Sequence, residues 1–248
     1  MLKQINFLWQ TIKSLFLDDY FLRQETFSVK HFNYNGIISN FYEHHGSNKN
    51  VILIIPGFSQ PLSSWMDIAE KLPKNFSLFI LELPNKGKSK GKIKQWNEKD
   101  FAGFVLEFIH KQIPHKQIIV VGHSLGAKVA ALTSLCLKTR IILLILYAAG
   151  GINVPPSPAK MLINLLKRLL YRKHSRIDFD KIYQQISIPT LLIYGEKDII
   201  TPIEVGKAIF RKIPKAKFVI IPGATHLAHK DTPDVFVKHV LDATKSLS

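Results

Sequence analysis

Residues 118–130 read Ile118-Ile119-Val120-Val121-Gly122-His123-Ser124-Leu125-Gly126-Ala127-Lys128-Val129-Ala130. The four β-branched residues at the start predict a strand buried on both faces, as in a parallel sheet covered by helices. The residues after Ser124 predict a helix over about 125–137. Between them stands Gly-x-Ser-x-Gly. A serine on a strand-to-helix turn is held strained and exposed. The flanking glycines are required because side chains there would collide with the crowded turn. At a helix N-terminus, Ser124 would also sit where backbone N–H groups stabilise negative charge.

The rest of the chain extends this unit in both directions. Val51–Ile55, Phe76–Leu81, Ile141–Tyr147, Thr190–Tyr194 and Phe218–Ile221 are short apolar runs with strand character. Helical patterns over 62–72, 203–213 and 233–247 separate several of them, and in a further helix Phe101, Phe104, Val105, Phe108 and Ile109 share one face. This alternation predicts an α/β fold with a mostly parallel sheet flanked by helices. Segments 27–32 and 36–43 meet at Tyr34-Asn35-Gly36, and Asn-Gly predicts an antiparallel hairpin at one sheet edge. Residues 151–189 break the alternation. They open with Pro155-Pro156-Ser157-Pro158 and continue through an apolar stripe containing Met161, Leu162, Leu165 and Leu166. This segment reads as a short helical insertion within one domain of residues 1–248.

Ser124 needs a base to remove its proton and a carboxylate to orient that base. The C-terminal ends of parallel strands share one side of the sheet, where ligand sites form. Of the ten histidines, His226 follows the last predicted strand and is the candidate base. His229 is expected at the surface or behind His226, and His123 is expected to be structural. Asp198, after the preceding strand, is the candidate carboxylate, with Glu196 as the weaker alternative. No acid follows Tyr147, where Ala148-Ala149-Gly150-Gly151 stands, and Glu82 is expected to be structural. Attack on a carbonyl creates an oxyanion that needs preorganised donors. The backbone N–H of Leu125 is one candidate. In the loop after Val51–Ile55, Pro56 has no N–H and Gly57 permits close backbone approach, so the Phe58 N–H is the second candidate.

The single cysteine excludes a disulfide framework and any cysteine-rich metal site. Cys136 is expected to be a small buried residue, and a reducing, cytoplasmic location is the simpler reading. No apolar run approaches the ~20 residues a spanning helix needs. Residues 1–17 have the spacing of an amphipathic helix and lack a signal-peptide pattern. The formal charge of +16 favours anionic partners. The cations are dispersed over 86–94, over Lys167 to Arg176 and over Lys207 to Lys217, with no zinc-finger, RRM or KH pattern. They read as solvated faces, with room for weak contact with an anionic membrane surface but no specific nucleic-acid site. Oligomeric state is not encoded in any recognisable pattern.

The order Ser124, Asp198, His226 and five segments, IIPGFSQPLSSW, ELPNKGKSKG, VVGHSLGAKVA, YGEKDIITP and PGATHLAHKDTP, resemble the α/β-hydrolase superfamily over nearly the whole chain. The resemblance implies an eight-stranded, mostly parallel sheet, residues 151–189 as a reduced cap, and cofactor-free hydrolysis through an acyl-enzyme with no metal. It implies a serine hydrolase of small to medium carboxylic esters, with Ser124, His226 and Asp198 as the triad and Phe58 and Leu125 as the oxyanion hole. The stripe of Met161, Leu162, Leu165 and Leu166 would help line an acyl pocket or, alternatively, seal the domain. Lactonase, thioesterase, carbon–carbon bond hydrolase and acyltransferase use the same triad, and a non-catalytic binding homologue or a membrane-associated lipase are further alternatives. The chain departs from the family pattern at Pro56-Gly57, where His-Gly is common, and at Glu82 to Ser89, where Asp-x-Pro-Gly-x-Gly-x-Ser is usual. The absence of an Asp nucleophile argues against haloalkane dehalogenases and epoxide hydrolases.

Overall fold

The computed structural model describes residues 28–47, 49–58, 60–84, 89, 96–152, 154 and 177–245. The expected helix over 1–17, the core of the insertion with Met161, Leu162, Leu165 and Leu166, and nearly all of the 86–94 lysine run lie outside these residues.

The apolar runs form eight strands: β1 Val29–Tyr34, β2 Ile37–His44, β3 Asn50–Ile55, β4 Ser77–Leu81, β5 Gln117–His123, β6 Ile141–Tyr147, β7 Thr190–Gly195 and β8 Ala216–Ile221. They make one sheet in the order β1-β2-β4-β3-β5-β6-β7-β8. The β1/β2 and β2/β4 pairs are antiparallel and the rest are parallel. The hairpin turns at Asn35 and Gly36, with φ of 51° and 80°. Positive φ at both central residues matches the twist of the strands.

Alternation along each strand separates two apolar layers. Val51, Leu53 and Ile55 face one side with Ile118, Val120, Leu144, Leu146 and Leu192. Ile52 and Ile54 face the other with Ile119, Val121, Ile145, Leu191 and Ile193. The first layer is covered by α2 Glu98–Gln112, α3 Leu125–Cys136, α4 Phe179–Gln184 and α5 Ile203–Phe210. The second is covered by α1 Met66–Lys71, which continues a 3-10 turn at Leu62–Trp65, and by α7 Pro233–Lys245, which follows the short α6 Ala228–Asp231. Helix α2 begins at a reciprocal cap: Asn97 accepts the Lys99 N–H and Asp100 accepts the Asn97 N–H, both at 2.8 Å.

Some expectations need correction. Cys136 is exposed, because it closes α3 beyond Ser134, the last buried residue of that helix. Helix α5 stops at Phe210 instead of continuing to 213. The short helix α6 was not anticipated, and α4 falls within the helical insertion expected over 151–189. No helix among the described residues is long and apolar enough to cross a membrane.

Strand register gathers the loops that carry the candidate residues. Ile55 pairs with Gly122, His123 with Tyr147, Tyr147 with Ile193, and Gly195 with Ile221. The chain leaves β3 toward β4 on one side and returns to β5 on the other. The crevice between the ends of β3 and β5 is therefore a topological switch point, where ligands bind in open α/β sheets.

Candidate active site

Ser124 sits at the junction of β5 and α3 with φ 51° and ψ −108°. A non-glycine residue at positive φ is strained and persists only where its surroundings over-determine it. Here they do. The Ser124 N–H donates to Tyr147 O at 2.9 Å, prolonging the β5/β6 ladder by one residue. The Ser124 carbonyl accepts from the N–H groups of Ala127 and Lys128 at 3.2 and 3.3 Å, closing the first turn of α3. Both flanking glycines are sterically required. A Cβ on Gly122 would lie 2.5 Å from Gly126 O, and one on Gly126 would lie 2.1 Å from Ile55 O and 2.5 Å from Pro56 O. The second contact presses the N-terminus of α3 against the end of β3. The Leu125 backbone and the segment from Pro56 to Phe58 are thereby neighbours, as an oxyanion site built from both would require.

The structure brings the candidate carboxylate and the candidate imidazole together. The His226 Nδ1–H donates to Asp198 Oδ2 at 2.8 Å, with both side chains buried. Asp198 is itself held by three further donors. Its Oδ1 accepts the N–H groups of Ile200 and Thr201 at 2.8 Å, and its Oδ2 accepts the Thr201 hydroxyl at 2.7 Å. Glu196, the alternative carboxylate, is exposed and accepts instead from the Gly223 N–H at 2.7 Å. A bond from Asp198 to Nδ1 leaves His226 Nε2 as the nitrogen able to accept a proton.

Among the described residues no hydrogen bond joins the Ser124 hydroxyl to His226. What ties their two segments together is the ring of His123. His123, the residue before Ser124, places Nε2 3.0 Å from the His226 carbonyl, which also accepts the Tyr147 hydroxyl at 2.6 Å. The side chain of His123 thus points into the core, as expected of a structural residue.

His229 belongs to the same buried cluster, which decides between its two expected placements: it lies behind the site and not at the surface. It is 1% exposed. Its ring stacks on Trp65 at 4.2 Å with planes 7° apart, and its Nδ1 lies 3.4 Å from Tyr147 Oη. Burial first, then the neighbouring His226 and His229 rings, holds His123 well below the ordinary imidazole range. Burial likewise depresses His229, with Lys230 and His226 adding to it. Glu82 is buried and holds the start of the 3-10 turn: Oε1 accepts the Leu62 N–H at 3.0 Å and Oε2 the Asn40 amide at 3.3 Å.

Sequence reasoning passed over Thr201, Tyr147, Gln60 and Trp65. Thr201, Gln60 and Trp65 lie inside segments that resemble the family, so a signal existed at the level of the segment. Tyr147 looks like an ordinary core aromatic, and only the fold brings it to the site. Among the described residues no group of three or more His, Cys, Asp or Glu could hold a metal ion.

A family model described as alpha/beta hydrolase fold matches residues 50–178 and 171–233. The chain is 20% identical to the Uncharacterized hydrolase YugF of Bacillus subtilis, an alignment covering 88% of this chain and 98% of that protein. In structure it is similar to a serine hydrolase involved in carbazole degradation (CarC), with a TM-score of 0.75, 17% identity, and 90% and 100% of the two chains covered. It is also similar to a thermophilic esterase from Thermogutta terrifontis, with a TM-score of 0.71, 19% identity, and 88% and 98% covered.

Proposed function

Because the chain belongs to the alpha/beta hydrolase fold family, we propose that it is a serine hydrolase that cleaves carboxylic esters of small to medium acyl chains through an acyl-enzyme. The observation that carries this reading is the pairing of a strained Ser124 at the strand-to-helix turn with an Asp198–His226 couple 2.8 Å apart at the same end of the sheet.

In this mechanism His226 Nε2 takes the proton of the Ser124 hydroxyl as Oγ attacks the ester carbonyl. Asp198, held by its other three donors, fixes the ring and stabilises the imidazolium that forms. The N–H groups of Leu125 and Phe58 stabilise the tetrahedral oxyanion, aided by the N-terminus of α3. His226 then protonates the departing alcohol. Water, deprotonated by the same nitrogen, releases the acid and regenerates Ser124. The route uses side chains, backbone and water, and its substrate is a small-molecule ester.

Labelling with a fluorophosphonate probe tests the nucleophile directly. The wild-type chain should label at Ser124 and turn over aryl esters. Ser124→Ala should lose the label and about 10⁶ in turnover, as when a triad acts as a unit. Undiminished turnover in Ser124→Ala refutes the mechanism. A panel of acyl lengths, with lactones and thioesters alongside, defines the substrate range.

A further inference from the structure

Behind the turn that carries Ser124 lies a chain of buried polar groups which the proposed mechanism does not use. The Gly57 N–H donates to Gln60 Oε1 at 2.7 Å, and the Trp65 indole N–H reaches the same oxygen at 3.3 Å. The His123 ring spans the next gap, with Nδ1 2.8 Å from Gln60 Oε1 and Nε2 3.0 Å from the His226 carbonyl; the neutral ring has one N–H, so it donates to one of these oxygens and packs against the other. Gln60, His123 and His226 are each less than 5% exposed. The amide orientation of Gln60 is fixed by its neighbours: turned over, its NH₂ would face the N–H of Gly57 and of Trp65.

We propose that Gln60 and His123 are positioning residues that set the separation between the oxyanion loop at Gly57-Phe58 and the backbone of His226. This inference rests on the serine-hydrolase reading above.

A buried polar pair can exist only to satisfy itself, and such a pair is replaceable by apolar groups of similar shape at little cost. The arrangement here differs in where it ends. One end is the backbone N–H of the residue preceding Phe58. The other is the backbone carbonyl of the candidate base. The ring between them belongs to the residue preceding the candidate nucleophile. Contact on the loop side is direct: a Cβ on Gly57 would lie 2.7 Å from His123 Nδ1 and 3.1 Å from Gln60 Oε1. The Gln60 N–H returns to Gly57 O at 3.4 Å, so the turn is closed by both backbone and side chain. Misplacing the donors or the base by a fraction of an ångström weakens stabilisation of the transition state while leaving the ester's binding pocket intact.

The test uses the full chain with an ester substrate. Gln60→Leu removes the acceptor, and Gln60→Met does so with an unbranched, adaptable side chain should the Leu variant not fold. Gln60→Glu, assayed above pH 7, restores an oxygen at the same place. Folding is monitored by circular dichroism. The expected result is a loss of about 10–100-fold in kcat for Leu or Met with KM within about threefold. The rate of fluorophosphonate labelling should fall in parallel, and Gln60→Glu should recover most of both. A folded Gln60→Met with wild-type kcat overturns the proposal, as does a loss confined to KM or one equally deep in Gln60→Glu. These outcomes are separable from failure of the underlying reading, which would show as turnover and labelling that persist in Ser124→Ala.

Discussion

At the scale of a single residue, Ser124 shows what a strained turn costs. Its positive φ costs about 1–3 kcal/mol for a non-glycine side chain. Ser124→Gly removes the strain and adds back about 0.5–1 kcal/mol of backbone entropy. The strain outweighs the entropy, so the variant should be more stable by about 1 kcal/mol, which for a chain of this size raises Tm by about 2–4 °C. Ser124→Ala keeps a Cβ at positive φ and should melt near wild type. Thermal unfolding of the three chains decides the matter. A Ser124→Gly chain that melts below Ser124→Ala would show the turn to be unstrained. The strain was legible in the sequence because Gly122 and Gly126 bracket the serine between a buried strand and a helix. The cluster behind it was not. His123, Gln60, Trp65, Tyr147 and His229 meet through contacts between positions far apart along the chain, and no local pattern records such contacts. His229 in particular can be read in Thr225-His226-Leu227-Ala228-His229 as a surface residue or as one behind His226, and the rings of Trp65, His123 and Tyr147 against it decide for the second.

At the scale of elements, the site depends on two loops laced together beyond β7 and β8. The Glu196 N–H donates to Ile221 O at 3.0 Å and the Lys197 N–H to Ala224 O at 2.7 Å. Gly195 sits between them, where a Cβ would fall 2.2 Å from Thr225 O and 2.5 Å from Ala224 O. Both are backbone atoms, so a rotamer change cannot relieve the clash. Gly195→Ala should cost about 3 kcal/mol, the upper end for overpacking, and should part the segments that carry Asp198 and His226. Activity should fall further than the lost stability accounts for, measured as specific activity of the folded fraction. Gly103 supplies the contrast. It lies inside α2 with nothing within 4 Å of the added Cβ, so Gly103→Ala should stabilise by about 0.5–1 kcal/mol with activity unchanged. Equal effects at the two sites would mean that close backbone approach does not govern Gly195. The strands and long helices were legible because their apolar spacing is sustained over whole elements. The bounds of α4 and the presence of α6 were not, because four to six residues hold too little periodicity to stand out from their surroundings, and tertiary packing forms them.

At the scale of the whole molecule, the covered sheet places titratable groups where water does not reach, and this sets how stability should vary with pH. His123 and His229 are depressed below the ordinary value of 6.5 by burial and neighbouring charge. As pH falls below ~6.5 the unfolded chain binds two protons that the folded core refuses. Unfolding therefore takes up protons and stability falls with falling pH, by up to about 1.4 kcal/mol per unit for each ring. Tyr147, Tyr183 and Tyr194 are raised above the ordinary value of 10.0, chiefly by burial. Above pH ~10 the unfolded chain releases protons the folded one keeps, so stability falls again as pH rises. These five groups contribute no slope between the two limits. Urea midpoints at pH 5, 7, 9 and 11 should trace a plateau with two falling limbs. His229 allows the acid limb to be assigned. Its Nε2 is buried without a hydrogen-bond partner among the described residues, and its ring lies flat on Trp65, so phenylalanine can take its place with little loss of packing. His229→Phe removes one of the two protons taken up on unfolding and should halve the slope below pH 6 while leaving the alkaline limb unchanged. An unchanged acid slope in His229→Phe would mean that this ring titrates in the folded chain as it does in the unfolded one, and that the core beneath the candidate site is open to water.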